Sequence, residues 1–171
     1  MSNEKGDTPR HTIAVLVDNE PGVLARVVGL FSGRGYNIES LTVAEVDHSL
    51  DRSRINIVTF GDEMIINQIR AQLERLVPVF NVVDLTVEGP SIERELALIK
   101  VVAQGENRIE ALRVADIFRA RAVDSTLGSF VFEVTGDSSK INAFIDLMRP
   151  LGLAEVSRTG VVAIARGAEA M

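Results

Sequence analysis

The segment Asp18–Leu41, DNEPGVLARVVGLFSGRGYNIESL, decides how the first half of the chain folds. The β-branched run before it, Thr12–Val17, is typical of a strand bounded by a turn. Inside the segment, apolar residues recur at helical spacing, which predicts one buried helix face formed by Val23, Leu24, Val27, Val28 and Phe31. Gly33 and Gly35 are typical of a helix end. The segment therefore predicts a strand-helix-strand unit.

The residues that follow complete a six-element pattern. Ile38–Val46 and Arg54–Phe60 have the composition of strands, and Asp62 is placed to cap a second helix. Val79–Val87 supplies a fourth strand. The order β-α-β-β-α-β is the ferredoxin-like arrangement, so the sequence predicts one such domain over 11–88.

The same order recurs after the break at Gly89-Pro90-Ser91, which predicts a second ferredoxin-like domain over 92–167. Its first helix is expected over Arg108–Arg119, with one apolar face formed by Ile109, Leu112, Ala115 and Phe118. Asp137 or Ser138 is expected to cap its second helix, which is predicted to stop near Pro150. The last strand, Glu155–Ala165, is interrupted at Gly160. The fold class is α+β, and the polar residues 1–10 are expected to form a flexible tail.

Composition limits the classes of function. The 171 residues carry a formal net charge of −6, which argues against a nucleic-acid partner. There is no Cys, which excludes thiolate chemistry, and no apolar run approaches the ~18 residues of a membrane span. We expect a cytoplasmic protein. Two small domains leave sheet surface uncovered, so we also expect an oligomer.

The turn Asn19-Glu-Pro-Gly22 has the chemistry of a carboxylate site. The first N–H groups of a helix have no partners within it, and they favour an anion. Here those groups belong to Gly22, Val23 and Leu24, and Gly22 has no side chain to block a ligand.

The other parts of a free amino acid also find matching residues. Asn19 and Asn37 have amide oxygens that could accept from an ammonium group. Val23, Leu24 or Ile38 could line an apolar wall for an alkyl group. The same residues also make an ordinary turn and helix start, with Asn37 satisfying local backbone groups. Residue chemistry alone leaves both interpretations open.

Other motifs give no catalytic or metal site. Gly136–Lys140 resembles a shortened phosphate loop, but Asp137 is better explained as a helix cap. His11 and His48 have no second ligand at metal-binding spacing, and no Ser lies in a Gly-x-Ser-x-Gly turn. We therefore predict no active site and no metal on this chain.

Five segments in order resemble one protein family from about His11 to Gly167. They are DNEPGVLARVVGLFSGRGYNIESLTV, SRINIVTFGDE, IERELALIKV, IFRARAVD and RTGVVAIARG. The chain resembles the small regulatory subunit of acetohydroxyacid synthase, also called acetolactate synthase, and its first half resembles that family's ACT domain. The resemblance implies a separate large catalytic subunit that carries thiamine diphosphate, Mg²⁺ and FAD, with no cofactor on this chain. It also implies that this chain activates that subunit and confers feedback inhibition by a branched-chain amino acid, usually valine, on valine, leucine and isoleucine biosynthesis.

The resemblance also implies a homodimer formed through the ACT domains, with the effector at the dimer interface. The family's ligand-contacting positions fall on Asn19, Gly22, Val23 and Leu24 of one chain and on Asn37 and Ile38 of its partner. The second domain is expected to contact the catalytic subunit.

Two other functions remain open from the sequence. A stand-alone ACT-domain amino-acid sensor could control another enzyme or transcription. A small ferredoxin-like hydrolase of the acylphosphatase kind would need an Arg in the first strand-to-helix loop, and Asn19–Gly22 contains none.

Overall fold

The computed structural model describes residues 8–171, which form two compact units. The first unit contains six elements in the predicted β-α-β-β-α-β order: β1 Arg10–Asp18, α1 Val23–Gly33, β2 Ile38–Asp47, β3 Arg52–Phe60, α2 Glu63–Glu74 and β4 Val79–Asp84. The second repeats this order: β5 Ser91–Val102, α3 Gly105–Ile117, β6 Arg121–Ser125, β7 Ser129–Gly136, α4 Ser138–Gly152 and β8 Leu153–Arg158. A short strand, β9 Val162–Ala165, follows.

The strand orders confirm the predicted fold class. The first sheet has the antiparallel order β2-β3-β1-β4, so β2 and β4 are its edges. The second sheet follows the order β6-β7-β5-β8, and β9 pairs with β5, whose first residues belong to the first unit. Both units are therefore ferredoxin-like, with the first strand of each in a central position.

The core of the first unit lies between its sheet and its two helices. Alternate residues of β1 point to this side, because successive side chains of a strand face opposite ways. The buried helix residues are those at helical spacing, and the core comprises Ile13, Val15, Val17, Val23, Val27, Phe31, Ile55, Ile57, Ile66, Ile69, Leu73 and Val82. Of the predicted face of the first helix, Val23, Val27 and Phe31 lie in this core, whereas Leu24 is 37% exposed.

The second unit corrects one predicted helix face. In α3 the buried residues are Ala111, Val114 and Ala115, whereas Ile109 is 63% exposed and Leu112 is 43% exposed. The helix turns small residues toward the sheet because β7 supplies the bulk of this core with Phe130 and Phe132. The size of the side chains, and not only their polarity, therefore determines which face of α3 is buried.

The second helix of this unit runs further than predicted. It continues through Pro150 to Gly152. A proline lacks the backbone N–H and its ring crowds the carbonyl four residues earlier, but in the last turn of α4 these effects did not end the helix at Pro150. The helix ends at Gly152, which has a φ of +114°. Residues other than glycine rarely adopt this value.

The compact second unit is shorter than the predicted second domain, 92–167. It spans Glu93–Val161, whereas Val162–Met171 belongs with the first unit. The reason is that the C-terminal segment Val162–Met171 returns to the first sheet. Arg166 N donates to Pro90 O at 2.9 Å, and Arg54 Nη2 donates to Ala163 O at 2.8 Å.

Most of the expected N-terminal tail, residues 1–7, lies outside the described residues. Arg10, the last residue of the expected tail, is instead the first residue of β1 and pairs with Phe60 of β3. In the described part of the chain, no helix is both long enough and apolar enough to span a membrane.

Candidate functional site

The turn between β1 and α1 leads into a helix without a side-chain cap. Gly22 precedes α1 with a φ of +86°, in the left-handed region, and a Cβ placed on it would meet no atom within 4 Å. The positive φ therefore explains why position 22 is a glycine, since a side chain would have enough space there. The first turn of α1 also contains no acidic residue. In contrast, Asp62 and Asp137 each accept a backbone N–H at the starts of α2 and α4. The start of α1 is left available to an anion.

A cavity of about 310 Å³ lies between this turn and the β2–β3 hairpin. Its apolar lining consists of Val17, Val23, Leu24, Val43, Ala44 and Ile55. Its polar lining consists of Asp18, Asn19, Glu20, Glu45 and Ser53. These lining residues, all within the described range, include three carboxylates and no lysine or arginine. Aliphatic walls and an acidic rim suit a small molecule that has an alkyl group and a cationic group.

The hairpin holds Asn19 at the edge of this cavity. Asn19 N donates to Asp51 O at 2.8 Å, and Asn19 Nδ2 donates to Asp51 Oδ1 at 3.3 Å. Ser53 Oγ donates to Asn19 Oδ1 at 2.9 Å. Ser53 is 5% exposed and pairs with Val17 in the sheet. The orientation of Asn19 is therefore set by residues more than thirty positions away.

The structure brings together four of the six predicted site residues. Asn19, Val23 and Leu24 line the cavity, and Gly22 stands between them at the helix start. Val23 is buried, whereas Leu24 is 37% exposed. All four positions lie at the start of α1.

The other two predicted residues lie elsewhere in the same chain. Ile38 begins β2 and Asn37 precedes it, whereas the cavity is lined by Val43, Ala44 and Glu45 further along that strand. The Asn37 side chain is exposed, and its backbone oxygen accepts from Thr59 Oγ1 at 2.6 Å. One chain alone does not place these two residues in the cavity.

Charged groups on the hairpin are partly paired. Glu45 Oε1 lies 2.8 Å from His48 Nδ1, and this hydrogen bond raises the pKa of the His48 imidazole. The turn itself is organised by Asp47, whose Oδ1 accepts from the Ser49 hydroxyl and from the backbone N–H of Leu50. These contacts, the Ser49 hydroxyl first, lower the pKa of Asp47. Hydrogen bonds within the hairpin thus stabilise its turn beside the cavity.

Sequence reasoning missed the contribution of the hairpin to the site. Val43, Glu45, Ser53 and Ile55 line the cavity, whereas the sequence predicts Ile38–Val46 and Arg54–Phe60 only as strands and assigns none of these four residues to the site. The one available signal was strand register. Once β1 and β3 are paired, Ser53 lies opposite Val17 and its side chain faces the same side of the sheet.

The remaining motifs have structural explanations. Asp137 Oδ1 accepts from Lys140 N at 2.9 Å, which confirms the interpretation as a helix cap. His11 Nδ1 lies 2.8 Å from the buried Asp84 Oδ2, a pairing that the spacing of the two residues did not indicate. Within residues 8–171, no cluster of three or more His, Asp or Glu side chains could hold a metal ion.

Comparison with known proteins gives the same family for both halves of the chain. Residues 13–81 match the AHAS small subunit-like ACT domain, and residues 94–167 match the family described as the small subunit of acetolactate synthase. A probable acetolactate synthase small subunit from Archaeoglobus fulgidus is 52% identical over 158 residues, which cover 92% of this chain and 98% of that protein. The acetolactate synthase small subunit of Aquifex aeolicus is 48% identical over 95% of this chain and 84% of its own length.

A solved structure extends this similarity to the fold. The crystal structure of the acetolactate synthase small subunit from Thermotoga maritima has a TM-score of 0.85 and 38% identity, covering 94% of this chain and 99% of that one. Both halves, nearly the full length and the fold agree, and the chain belongs to the family of acetolactate synthase small subunits.

Proposed function

We propose that this chain is the regulatory subunit of an acetolactate synthase, which activates a separate catalytic subunit and makes it sensitive to feedback inhibition by valine. The observation that carries the proposal is the cavity beside the uncapped start of α1. Its position in an ACT domain of a small-subunit family supports an effector site. In this proposal the chain provides regulation, and the thiamine diphosphate, Mg²⁺ and FAD belong to the catalytic partner.

The polar groups around the cavity support the assignment of an amino acid as effector, because one side offers N–H donors and the other side offers carboxylates. Val23 N donates to Glu20 O at 3.4 Å, and the N–H groups that follow it in the first turn of α1 favour a carboxylate. The carboxylates of Asp18, Glu20 and Glu45 line the same cavity and attract an ammonium group. A zwitterion satisfies both sides at once, whereas a simple anion meets the repulsion of the acidic side.

The apolar walls support a branched aliphatic side chain. Val23, Val43 and Ile55 line the cavity, and no aromatic ring is among its described lining residues. Burying an aliphatic side chain of this size contributes about 1.5–3 kcal/mol when it is fully removed from water. The walls therefore support a branched-chain amino acid, and among these we propose valine, the usual effector that the family resemblance implies.

A homodimer through the ACT domains completes this site in the proposal. Strand β2 is a sheet edge, and Val43 and Val46 on it are 45% and 55% exposed. Two such edges can pair in antiparallel fashion about a two-fold axis. An axis near the middle of β2 brings the start of one β2, with Asn37 and Ile38 of the partner subunit, against the Glu45 end of the other. This arrangement explains why those two residues stand apart from the cavity within one chain.

Regulation then follows from a dimer with two states. Valine bound between two ACT domains stabilises the state that it contacts better, and a coupling of ~1–3 kcal/mol changes the response ~5–150-fold. The second unit, Glu93–Val161, is assigned to contact with the catalytic subunit.

The test measures acetolactate formation by a large catalytic subunit with and without the full chain, across a valine titration. We expect activation without valine and progressive inhibition with it. Gly22→Asp is expected to abolish inhibition and keep activation, because it places a carboxylate where that of the effector binds. Gly22→Asn is the matched control, since Asn has the same shape without the charge and tolerates a positive φ.

Three results would count against the proposal in different ways. If Gly22→Asp remains fully sensitive to valine, the site is wrong. If Gly22→Asn loses sensitivity equally, the added side chain or backbone strain, and not the charge, explains the effect. If the chain binds valine but neither binds nor activates a large subunit, a stand-alone amino-acid sensor is the better assignment.

A further inference from the structure

The Asn19 side chain is held by two residues of the β2–β3 hairpin that no sequence motif assigns to the site. Ser53 Oγ lies 2.9 Å from Asn19 Oδ1, and Asp51 Oδ1 lies 3.3 Å from Asn19 Nδ2. Asp51 has a φ of +51°, in the left-handed region, and its backbone oxygen also accepts from Asn19 N. Three hydrogen bonds therefore converge on one asparagine.

The chemistry of these partners determines which way the amide points. A carboxylate has no proton to donate, so the atom of the Asn19 amide that faces Asp51 is its nitrogen. The amide oxygen then faces Ser53, whose hydroxyl donates to it. One of the two N–H groups of Nδ2 donates to Asp51. The other has no described hydrogen-bond partner, and Asn19 lines the cavity.

We infer that Ser53 and Asp51 are positioning residues of the effector site, which hold the Asn19 amide so that it presents an N–H donor to the carboxylate of an amino-acid effector. The inference rests on the proposed function. It differs from the expectation that the Asn19 oxygen accepts from the ammonium group, because Ser53 already donates to that oxygen, whereas the second N–H of Nδ2 has no described partner. The ammonium group is left to the carboxylates of the cavity.

The orientation of the amide is tested by Asn19→Asp, with valine binding to the full chain measured by titration calorimetry. The change keeps the shape and the acceptor for Ser53 but replaces the N–H donor by a second oxygen. We expect valine binding at least about tenfold weaker, since a donor is lost and a like charge is introduced. Unchanged or tighter binding would overturn the inference, because an acceptor would then face the ammonium group.

The positioning role is tested by removing the partners of Asn19. Ser53→Ala is expected to weaken valine binding about fivefold, the effect of one lost hydrogen bond. Ser53→Thr restores the hydroxyl and is expected to recover most of the affinity. Asp51→Gly keeps a residue suited to the positive φ, lies on an exposed loop, and is expected to weaken binding similarly.

A double-mutant cycle separates positioning from general destabilisation. If Ser53 acts through Asn19, Ser53→Ala has no further effect in an Asn19→Ala background. Thr86→Val is the matched control, since it removes a hydroxyl that accepts from Thr12 N in the same unit but does not contact Asn19. Equal losses in the two backgrounds, or an equal loss with Thr86→Val, would overturn the inference. If the wild-type chain does not bind valine at all, the proposed function fails instead.

Discussion

Arg54 Nη2 donates to the carbonyl oxygen of Ala163 at 2.8 Å, although 109 residues separate them in the chain. The guanidinium also contacts Asn56 Oδ1 at 3.4 Å, and burial lowers the pKa of Arg54. Asn56 and Arg54 lie on the face of the first sheet opposite its helices, because the alternate residues Ile55 and Ile57 belong to the core. The C-terminal segment Val162–Met171 is thereby attached to the outer face of that sheet.

Arg54→Ala is expected to loosen the C-terminal segment. A hydrogen bond from a charged group contributes about 1.5–3 kcal/mol, and Ala leaves the carbonyl of Ala163 without this donor. Hydrogen exchange of the β9 amides measures the effect, with faster exchange expected in the variant. Arg113→Ala, which breaks an exposed ion pair to Glu110, is the control and is expected to change nothing measurable. Unchanged exchange in Arg54→Ala would show that other contacts hold the segment.

Gly152→Ala is expected to destabilise the second unit by roughly 2–4 kcal/mol. The residue has a φ of +114°, and a Cβ placed on it would lie 2.1 Å from Val102 O. Both the backbone conformation and the space exclude a side chain. Gly29→Ala is the matched control with the opposite sign, because Gly29 lies inside α1 and a Cβ there meets no atom within 4 Å. That change is expected to stabilise by about 0.5–1 kcal/mol. Urea unfolding of both variants measures the difference, and a neutral Gly152→Ala would contradict the geometry.

Local signals made much of the fold predictable. The caps Asp62 and Asp137 were readable because a helix start needs an acceptor for its free N–H groups, and both are confirmed. The β-branched run Thr12–Val17 indicated a strand, and β1 Arg10–Asp18 covers it. Such features depend on residues only a few positions apart.

Features that depend on distant residues could not be predicted. The buried face of α3 depends on the large rings of Phe130 and Phe132. The prediction from helical periodicity, which placed Ile109 on the buried face, was therefore wrong. The position of the C-terminal segment depends on Arg54, more than a hundred residues earlier. In the candidate site, the start of α1 was readable, whereas the contribution of Ser53 required the register of β1 and β3.

The Asp137 cap predicts a pH-dependent contribution to stability. The Ser139 hydroxyl, followed by the backbone N–H of Lys140, lowers the pKa of Asp137 from its usual value of 3.8. A lowered pKa in the folded state stabilises the protein at pH values above 3.8, and this contribution is lost as the pH falls through the folded pKa. The difference in unfolding free energy between wild type and Asp137→Asn is therefore expected to be constant near neutral pH and to disappear in acid.

Ser139→Ala gives the control for this pH dependence. It removes the hydrogen bond that lowers the pKa most, so the loss of stability is expected to begin at a higher pH than in the wild type. Urea titrations from pH 7 downward measure both variants. A difference between wild type and Asp137→Asn that persists unchanged in acid would mean that the charge of Asp137 does not contribute.

The acidic lining of the cavity predicts that the effector needs its amino group. Asp18, Glu20 and Glu45 line the cavity without a lysine or arginine among the described lining residues. Isovalerate has the alkyl group and the carboxylate of valine but no ammonium group, so it meets only repulsion from these side chains. We expect its affinity to be at least about tenfold weaker than that of valine, from the loss of one charge-assisted contact.

Glu45→Gln is expected to reduce this preference for valine, because it removes one of the attracting charges while keeping the size of the side chain. Calorimetric titration of both ligands into the wild type and the variant gives the ratio of affinities, with Glu74→Gln on α2, whose residue does not line the cavity, as the matched charge control. Equal affinities for valine and isovalerate in the wild type would mean that the carboxylates do not act on the ligand and that the cavity recognises only an acid with an alkyl group.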